Sequence, residues 1–287
     1  MPVISVGMPV YNGERFVEES IRSVLAQTFG DFELLIADNA STDRSGEICQ
    51  DYAARDPRIR YWRNASNVGA AANYNRLYAE AGSPYFRWSN ADDLLAPDLH
   101  EKCLAALQEE PAAVLAAGRT ILIDADGNQT GEYDDNLHIT DSSASVRLEK
   151  FFDQVGLTNV IYGLMRADAL GRTDLMGDGS VPAADTVMMG QLLLHGKFLQ
   201  LDEPLFYRRM HAASSSSDRA DTSLQESFWS AGRRKFKRPG WHVMMAYFRG
   251  ISRSSVNAGE AIALYRLMAH QAWLRKRNLT LELFGLH

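Results

Sequence analysis

The chain has 287 residues, 46% of them apolar and 23% charged, with a formal net charge of −6. That length can bury a sizeable core in one or two domains, and the composition excludes a disordered chain, a collagen and a disulfide scaffold. The charge is uneven: residues 218–287 hold twelve Lys and Arg against five Asp and Glu, about +7, which leaves residues 1–217 near −13.

The first residues lack the basic stretch and apolar core of a signal peptide, and no apolar run nears the roughly 18 residues of a membrane span. Val3 to Met8 is β-branched and alternating, which predicts a strand. Pro9-Val10-Tyr11-Asn12-Gly13 predicts a turn. From Glu14 to Phe29 the apolar residues Phe16, Val17, Ile21, Val24 and Leu25 follow helical spacing, with early acids where the dipole favours them. Phe32 to Ala37 is a second strand, which completes a βαβ unit with parallel pairing. The unit then repeats. A helix is expected over Asp43–Arg55, capped by Ser41 or Thr42, then a strand over Ile59–Trp62 and a helix from Gly69 to Ala81 closed by Gly82. Another strand runs from Pro84 to Trp88, and a helix runs from Pro97 to Glu110. Cys49 and Cys103 fall in these helices, which predicts buried thiols. This alternation predicts an α/β open sheet with helices on both faces and a ligand crevice at the carboxyl ends of its strands.

Beyond Pro111 the pattern changes. Strands are expected over Ala112–Ala117 and Arg119–Asp124, a turn at Asp126-Gly127, and loop over residues 128–145. A helix follows from Val146 to Gln154, a strand from Asn159 to Met165, loop from Gly171 to Pro182, and a helix from Ala183 to His195. Short strands are expected over Phe198–Leu201 and Leu205–Arg208. The serine run Ser214–Ser217 reads as a mobile boundary. The remainder reads as helical, with Ile262, Tyr265, Met268, Ala269, Ala272 and Trp273 on one face.

Acids at strand ends are the main chemical signal. Asp38 closes the second strand; Asn90, Asp92 and Asp93 close the fourth. An open parallel sheet brings these ends together, and clustered carboxylates call for a hard divalent cation, which also suits a diphosphate. The Asp92-Asp93 doublet alone is equally readable as a cap before the Pro97 helix. The motifs argue against a dehydrogenase and a P-loop kinase. No G-x-G-x-x-G follows the first strand, and Gly190 to Lys197 has five residues between its glycines and Phe198 after the lysine.

An ordered set of segments resembles the family-2 inverting glycosyltransferases with the GT-A fold. It runs from Val3-Ile4-Ser5-Val6-Gly7-Met8-Pro9-Val10-Tyr11-Asn12 through Ser23 to Thr28 and Phe32 to Asp43. It continues at Asn67-Val68-Gly69, Asn73 and the acidic doublet, and resumes at Asp185, Gly196 and Leu205 to His211. The resemblance covers roughly residues 3–213. It implies a Rossmann-like open mixed sheet, with a catalytic domain over 1–217 (a nucleotide-sugar half to about 110, an acceptor half beyond) and a basic helical extension over 218–287. It places Pro9, Tyr11, Asp38, Asn67 and Gly69 around the nucleotide base, with Asp38 accepting from the base edge. Asn90 is expected at a ribose hydroxyl, Arg208 or Arg209 at the diphosphate, and Asp92 and His211 at a bound Mn²⁺ or Mg²⁺. Asp185 is implied as the general base. Taken alone, Asp185 reads as a first-turn helix acid and His211 as a surface imidazole. The resemblance departs at Asn90, where the family has the first Asp of D-x-D, at Asn39 in place of a second acid, and at Ala184 in place of Glu.

The implied reaction moves a sugar from a nucleotide-diphosphate sugar, UDP-linked, to a saccharide or lipid-linked acceptor hydroxyl, in polysaccharide or glycoconjugate synthesis. Two alternatives stay open: a non-catalytic nucleotide-sugar binding protein, suggested by the three departures, and a sugar nucleotidyltransferase, which needs a Gly-rich basic loop after the first strand. The basic segment, with Arg233-Arg234-Lys235, Lys237-Arg238 and Arg275-Lys276-Arg277 among aromatics, reads as peripheral contact with an anionic membrane, or as a solvated face packing on the body or a second copy in a homo-oligomer. Nucleic acid is not expected as a partner. The expected location is cytoplasmic, including the inner face of the membrane.

Overall fold

In a computed structural model of the chain, the structure describes residues 1–181, 183–211, 228–232 and 238–283. The first half follows the expected alternation: β1 (Ile4–Val10), α1 (Val17–Leu25), β2 (Phe32–Asp38), α2 (Ser45–Arg55), β3 (Ile59–Arg63), α3 (Ala70–Glu80) and β4 (Tyr85–Trp88). A two-residue strand β5 (Leu94–Leu95) precedes α4 (Leu99–Glu109). Then come β6 (Ala113–Ile123), β7 (Gln129–Tyr133), α5 (Ala144–Gln154), a 3-10 turn (Asn159–Tyr162), β8 (Leu164–Arg166), α6 (Ala167–Leu170), α7 (Ala184–Leu192) and β9 (Lys197–Arg209). Helices α8 (Pro239–Arg253), α9 (Ala258–Leu274) and α10 (Lys276–Leu283) follow.

The strands form one mixed sheet in the order β3-β2-β1-β4-β8-β6-β9-β5, with β7 on β6. β3, β2, β1 and β4 are mutually parallel, whereas β8 is antiparallel to both β4 and β6. Both faces are covered. On β2, Leu34 and Ile36 belong to the core under α1 and α4, while Leu35 and Ala37 belong to the core under α3 and α7. Burial on both faces explains why these strands read as continuous apolar runs. Cys49 and Cys103 are buried free thiols, and burial pushes both up to about 12.

The second half departs from expectation in particular places. Residues 129–133, expected as loop, form β7, because β8 pairs only with Leu115 and Ala116 and leaves the far end of β6 open for a hairpin. The two strands expected over 112–124 are one, as are the two expected over 198–208; the interruptions are register shifts between β6 and β9, not turns. Asn159–Tyr162 is a 3-10 turn instead of strand. Helix α2 starts at Ser45, without a side-chain cap from Ser41 or Thr42; Ser41 Oγ accepts from the Asn12 N–H at 3.0 Å instead.

The C-terminal helices share the core beneath α5 and α7, through Met244, Tyr247, Ile251, Leu264 and Met268. Gln191 of α7 donates to the Ala246 carbonyl at 2.8 Å, and Asp174 accepts from both Arg249 and Arg253. The apolar face expected on α9 is split. Met268 is buried, but Ile262, Tyr265 and Trp273 remain 54%, 42% and 59% exposed. The serine run and residues 233–237 lie outside the described residues. Among the described residues no helix is long and apolar enough to cross a membrane.

Candidate functional site

The parallel register sets the crevice. Val10 pairs with Asp38, Asp38 with Arg63, and Gly7 with Trp88, so the carboxyl ends of β1 to β4 lie along one edge. Asp38 sits there fully buried. Its Oδ1 accepts from the Ser41 N–H at 2.8 Å, and its Oδ2 accepts from Tyr61 Oη at 3.1 Å and Arg63 Nη1 at 2.7 Å. Burial, then the Asp38 charge, pushes the Tyr61 phenol up to about 12, so it stays a donor. The carboxylate expected to face a base edge is thus engaged by the chain's own donors. The half-exposed Arg63 guanidinium, which also donates to the Ser41 carbonyl at 2.6 Å, is the cation at that position.

Beside it four amides interlock. Asn39 accepts from Asn64 and the Val68 N–H and donates to Asn67 Oδ1 at 2.9 Å. Asn64 donates to Asn73, which donates to the Ala37 carbonyl. An acid at position 39 could not donate to Asn67, which gives Asn39 a structural reason. Gly69 follows with φ +86°, and a Cβ there would lie 2.6 Å from the Trp229 carbonyl oxygen. The same oxygen would lie 2.8 Å from a Cβ on Gly179, in the loop before α7. Tyr11 is 52% exposed at the mouth of this region, beyond Pro9 on β1.

The acidic doublet lies at the end of β4. Asn90 is held on three sides: Tyr74 Oη donates to its Oδ1 at 2.6 Å, and its Nδ2 donates to Asp93 Oδ2 at 3.0 Å and Tyr162 Oη at 2.6 Å. Burial raises both tyrosines and keeps the phenols protonated. Asp93 is buried, accepts from the Arg209 N–H at 2.8 Å, and is pushed up by burial and by Asp92. Asp92 is the open carboxylate, and its Oδ2 lies 3.0 Å from His211 Nε2. Phe16 packs against the imidazole, ring centroids 4.8 Å apart.

Adjacent arginines part company here. The Arg209 side chain is 1% exposed. It donates to the carbonyls of Asp92, Asp124 and Ala125 and to Glu19 Oε2 at 2.6 Å, and so braces the site from behind rather than facing a diphosphate. Arg208, its neighbour on the strand, donates to Asn159 Oδ1, and its charge acts on Asp93, Asp135 and Tyr162.

Asp185 opens α7, after Ala183 at φ +51°. Its Oδ1 accepts from the Thr186 N–H at 2.8 Å. Thr186 Oγ1 lies 3.3 Å from Thr158 Oγ1, and Thr158 precedes Asn159, so a polar chain runs from Asp185 to Arg208. Asp135 closes it from below, 4% exposed, accepting from the Asn159 N–H at 3.0 Å and pushed up to about 6 by burial. Tyr74, Asp135, Thr158, Asn159 and Tyr162 escape sequence reasoning. Asp135 falls in the stretch 128–145 that composition assigns to loop, where no spacing singles it out.

The family profile described as "Glycosyl transferase family 2" matches residues 5–166. An uncharacterized glycosyltransferase of Haemophilus influenzae is 35% identical over 129 residues, 45% of this chain and 51% of that one. The chain spans about half the length of the curated relatives it matches, or less. Among solved structures, S. aureus TarS 1–349 in complex with UDP-GlcNAc superposes with a TM-score of 0.68 at 17% identity, over 97% of this chain and 75% of that one. The mannosyltransferase PcManGT of Pyrobaculum calidifontis, with GDP-Man and Mn²⁺, superposes with a TM-score of 0.57 at 13% identity, over 99% and 84%. The fold is therefore that of GT-A glycosyltransferases, and the chain belongs to glycosyl transferase family 2.

Proposed function

We propose that the chain transfers a sugar from a UDP-sugar to an acceptor hydroxyl in one inverting displacement assisted by a divalent cation. The observation that carries the reading is the 3.0 Å approach of His211 Nε2 to Asp92 Oδ2, two groups 119 residues apart that meet at the strand-end crevice. The bound donors named for the two solved neighbours, UDP-GlcNAc and GDP-Man, support a nucleotide-sugar substrate.

Among the described residues no cluster of three or more His, Cys, Asp or Glu is placed to hold a metal. An oxygen from Asp92 and a nitrogen from His211 nevertheless fit a cation that takes its remaining ligands from phosphates and water. Mn²⁺ or Mg²⁺ held there would stabilise charge on the leaving diphosphate. Pro9, Tyr11, Asn67 and Gly69 line the base side, with Asp38 acting through Arg63. Arg208 supplies the cation facing the reacting groups. The acceptor oxygen bonds to the anomeric carbon as the bond from that carbon to the diphosphate oxygen breaks. The electron pair leaves with the diphosphate, and the acceptor's proton passes to Asp185.

Asp185→Asn tests this. Transfer should fall at least about 10²-fold, the range of a lost general base, with UDP affinity retained. Transfer at the wild-type rate would remove Asp185 from the mechanism. A wild-type chain that binds donors but never releases UDP from any of them would favour a binding protein instead.

A further inference from the structure

Asn159, the first residue of the 3-10 turn, carries a buried hydrogen-bond donor with no partner among the described residues. The residue is 3% exposed. Its backbone N–H is given to Asp135 and its Oδ1 accepts from Arg208, but its Nδ2 has no partner among the described residues. A buried amide N–H left without an acceptor forfeits its bond to water with nothing in return, and native chains keep few of them. The backbone that delivers it is strained as well. Thr158, not a glycine, stands at φ +60°, a left-handed conformation that a β-branched residue rarely adopts. Asp135 from below, Arg208 from one side and the Thr158–Thr186 contact from the other hold the amide in place.

The position of this group matters more than its burial. On one side Arg208 projects charge onto Asp93, beside the Asp92–His211 pair; on the other, Thr158 reaches Thr186, next to Asp185. In an in-line displacement the reacting carbon stands between leaving group and base. We propose that Asn159 Nδ2 donates to an oxygen substituent of the transferred sugar, a hydroxyl or an acetamido carbonyl, and so determines which sugar the chain accepts. This rests on the glycosyl-transfer reading above. The logic is one of asymmetry: a site built to bond a substrate oxygen rejects a sugar lacking that oxygen, or carrying it on the other face, far more strongly than an apolar pocket can.

Asn159→Asp is nearly isosteric, keeps an acceptor for Arg208, and turns the free donor into an acceptor. Asn159→Ala removes both. UDP-glucose, UDP-galactose, UDP-N-acetylglucosamine, UDP-glucuronate and GDP-mannose are compared with Mn²⁺ by nucleotide release, and UDP alone is titrated by calorimetry. The expected result is UDP affinity within about twofold of wild type, with release from the preferred donor down at least about 30-fold and from the others by less than about threefold. An unchanged preference profile overturns the proposal. So does a uniform loss across donors, or a change confined to the KM of the acceptor. If the wild-type chain neither binds nor cleaves any of the five donors, the glycosyl-transfer reading itself falls, and the sugar subsite with it.

Discussion

Arg209→Met separates bracing from binding at the diphosphate. The substitution removes a guanidinium that is 1% exposed and that serves three backbone carbonyls and Glu19. The Glu19 side chain is 54% exposed, so its charge returns to water at little cost. The carbonyls of Asp92, Asp124 and Ala125 decide the magnitude, because each buried acceptor stripped of its donor costs about 1–3 kcal/mol. Asp124 and Ala125 lie in a half-exposed turn that water can reach, which places the total near 3–5 kcal/mol. For a chain of this size each kcal/mol lowers the melting temperature by about 2–4 °C, so a fall of roughly 10 °C is expected. Arg209→Lys keeps a charge but not the five-donor fork, and should fall between the two. Scanning calorimetry reads the stability, and titration of UDP with Mn²⁺ reads the site. Arg209→Met melting within about 2 °C of wild type while losing more than about tenfold in UDP affinity would refute the reasoning, because the guanidinium would then be contacting the diphosphate.

Asp92→Ala should weaken UDP binding at least about tenfold with Mn²⁺ and leave metal-free binding unchanged; a variant that binds UDP as tightly as wild type with Mn²⁺, by calorimetry, would remove Asp92 as a ligand. Gly69→Ala places a methyl group 2.6 Å from the Trp229 carbonyl at φ +86°, and should cost about 1–3 kcal/mol, read as a lower melting temperature. Burial pushes the folded Asp135 carboxyl up to about 6, against about 3.9 unfolded. Between those values the native state binds more protons, so its contribution to stability falls as pH rises, by up to about 3 kcal/mol above the folded value. Asp135→Asn still accepts from the Asn159 N–H and should flatten that slope; urea midpoints across roughly pH 4–7 that fall in parallel for both proteins would contradict it.

The first half of the sheet is legible because its signal is local. Short apolar runs bounded by Gly, Pro and Asn determine β1, β2 and β4, and helical spacing supplies what lies between. The second half misleads because interruptions are ambiguous. Gly118 and the Asp202-Glu203-Pro204 stretch break apolar runs as a turn would, yet they sit inside long paired strands; only the neighbouring strand decides whether a gap is a turn or a bulge.

The site shows the same limit. The resemblance implies a joint role for Asp92 and His211, and the fold brings them together. It does not separate Arg208 from Arg209. Consecutive strand residues face opposite sides, and which side meets the crevice depends on register with a partner strand. For Asp38, the partners Tyr61 and Arg63 come from β3, one strand away, and no spacing in the sequence announces them. Asn159 has no periodic signature, and its importance lies in what its amide lacks.

The Trp229 carbonyl, wedged between Gly69 and Gly179, bears on how this protein can be re-engineered. One backbone oxygen from the C-terminal part touches both the loop before α3 and the loop that leads to Asp185. A chimera joined near residue 218 would exchange that oxygen's carrier while leaving both glycines behind, and would disturb both loops with a single graft. Libraries aimed at altered acceptors should therefore hold residues 228–232 constant, or vary them together with Gly69 and Gly179 as one unit.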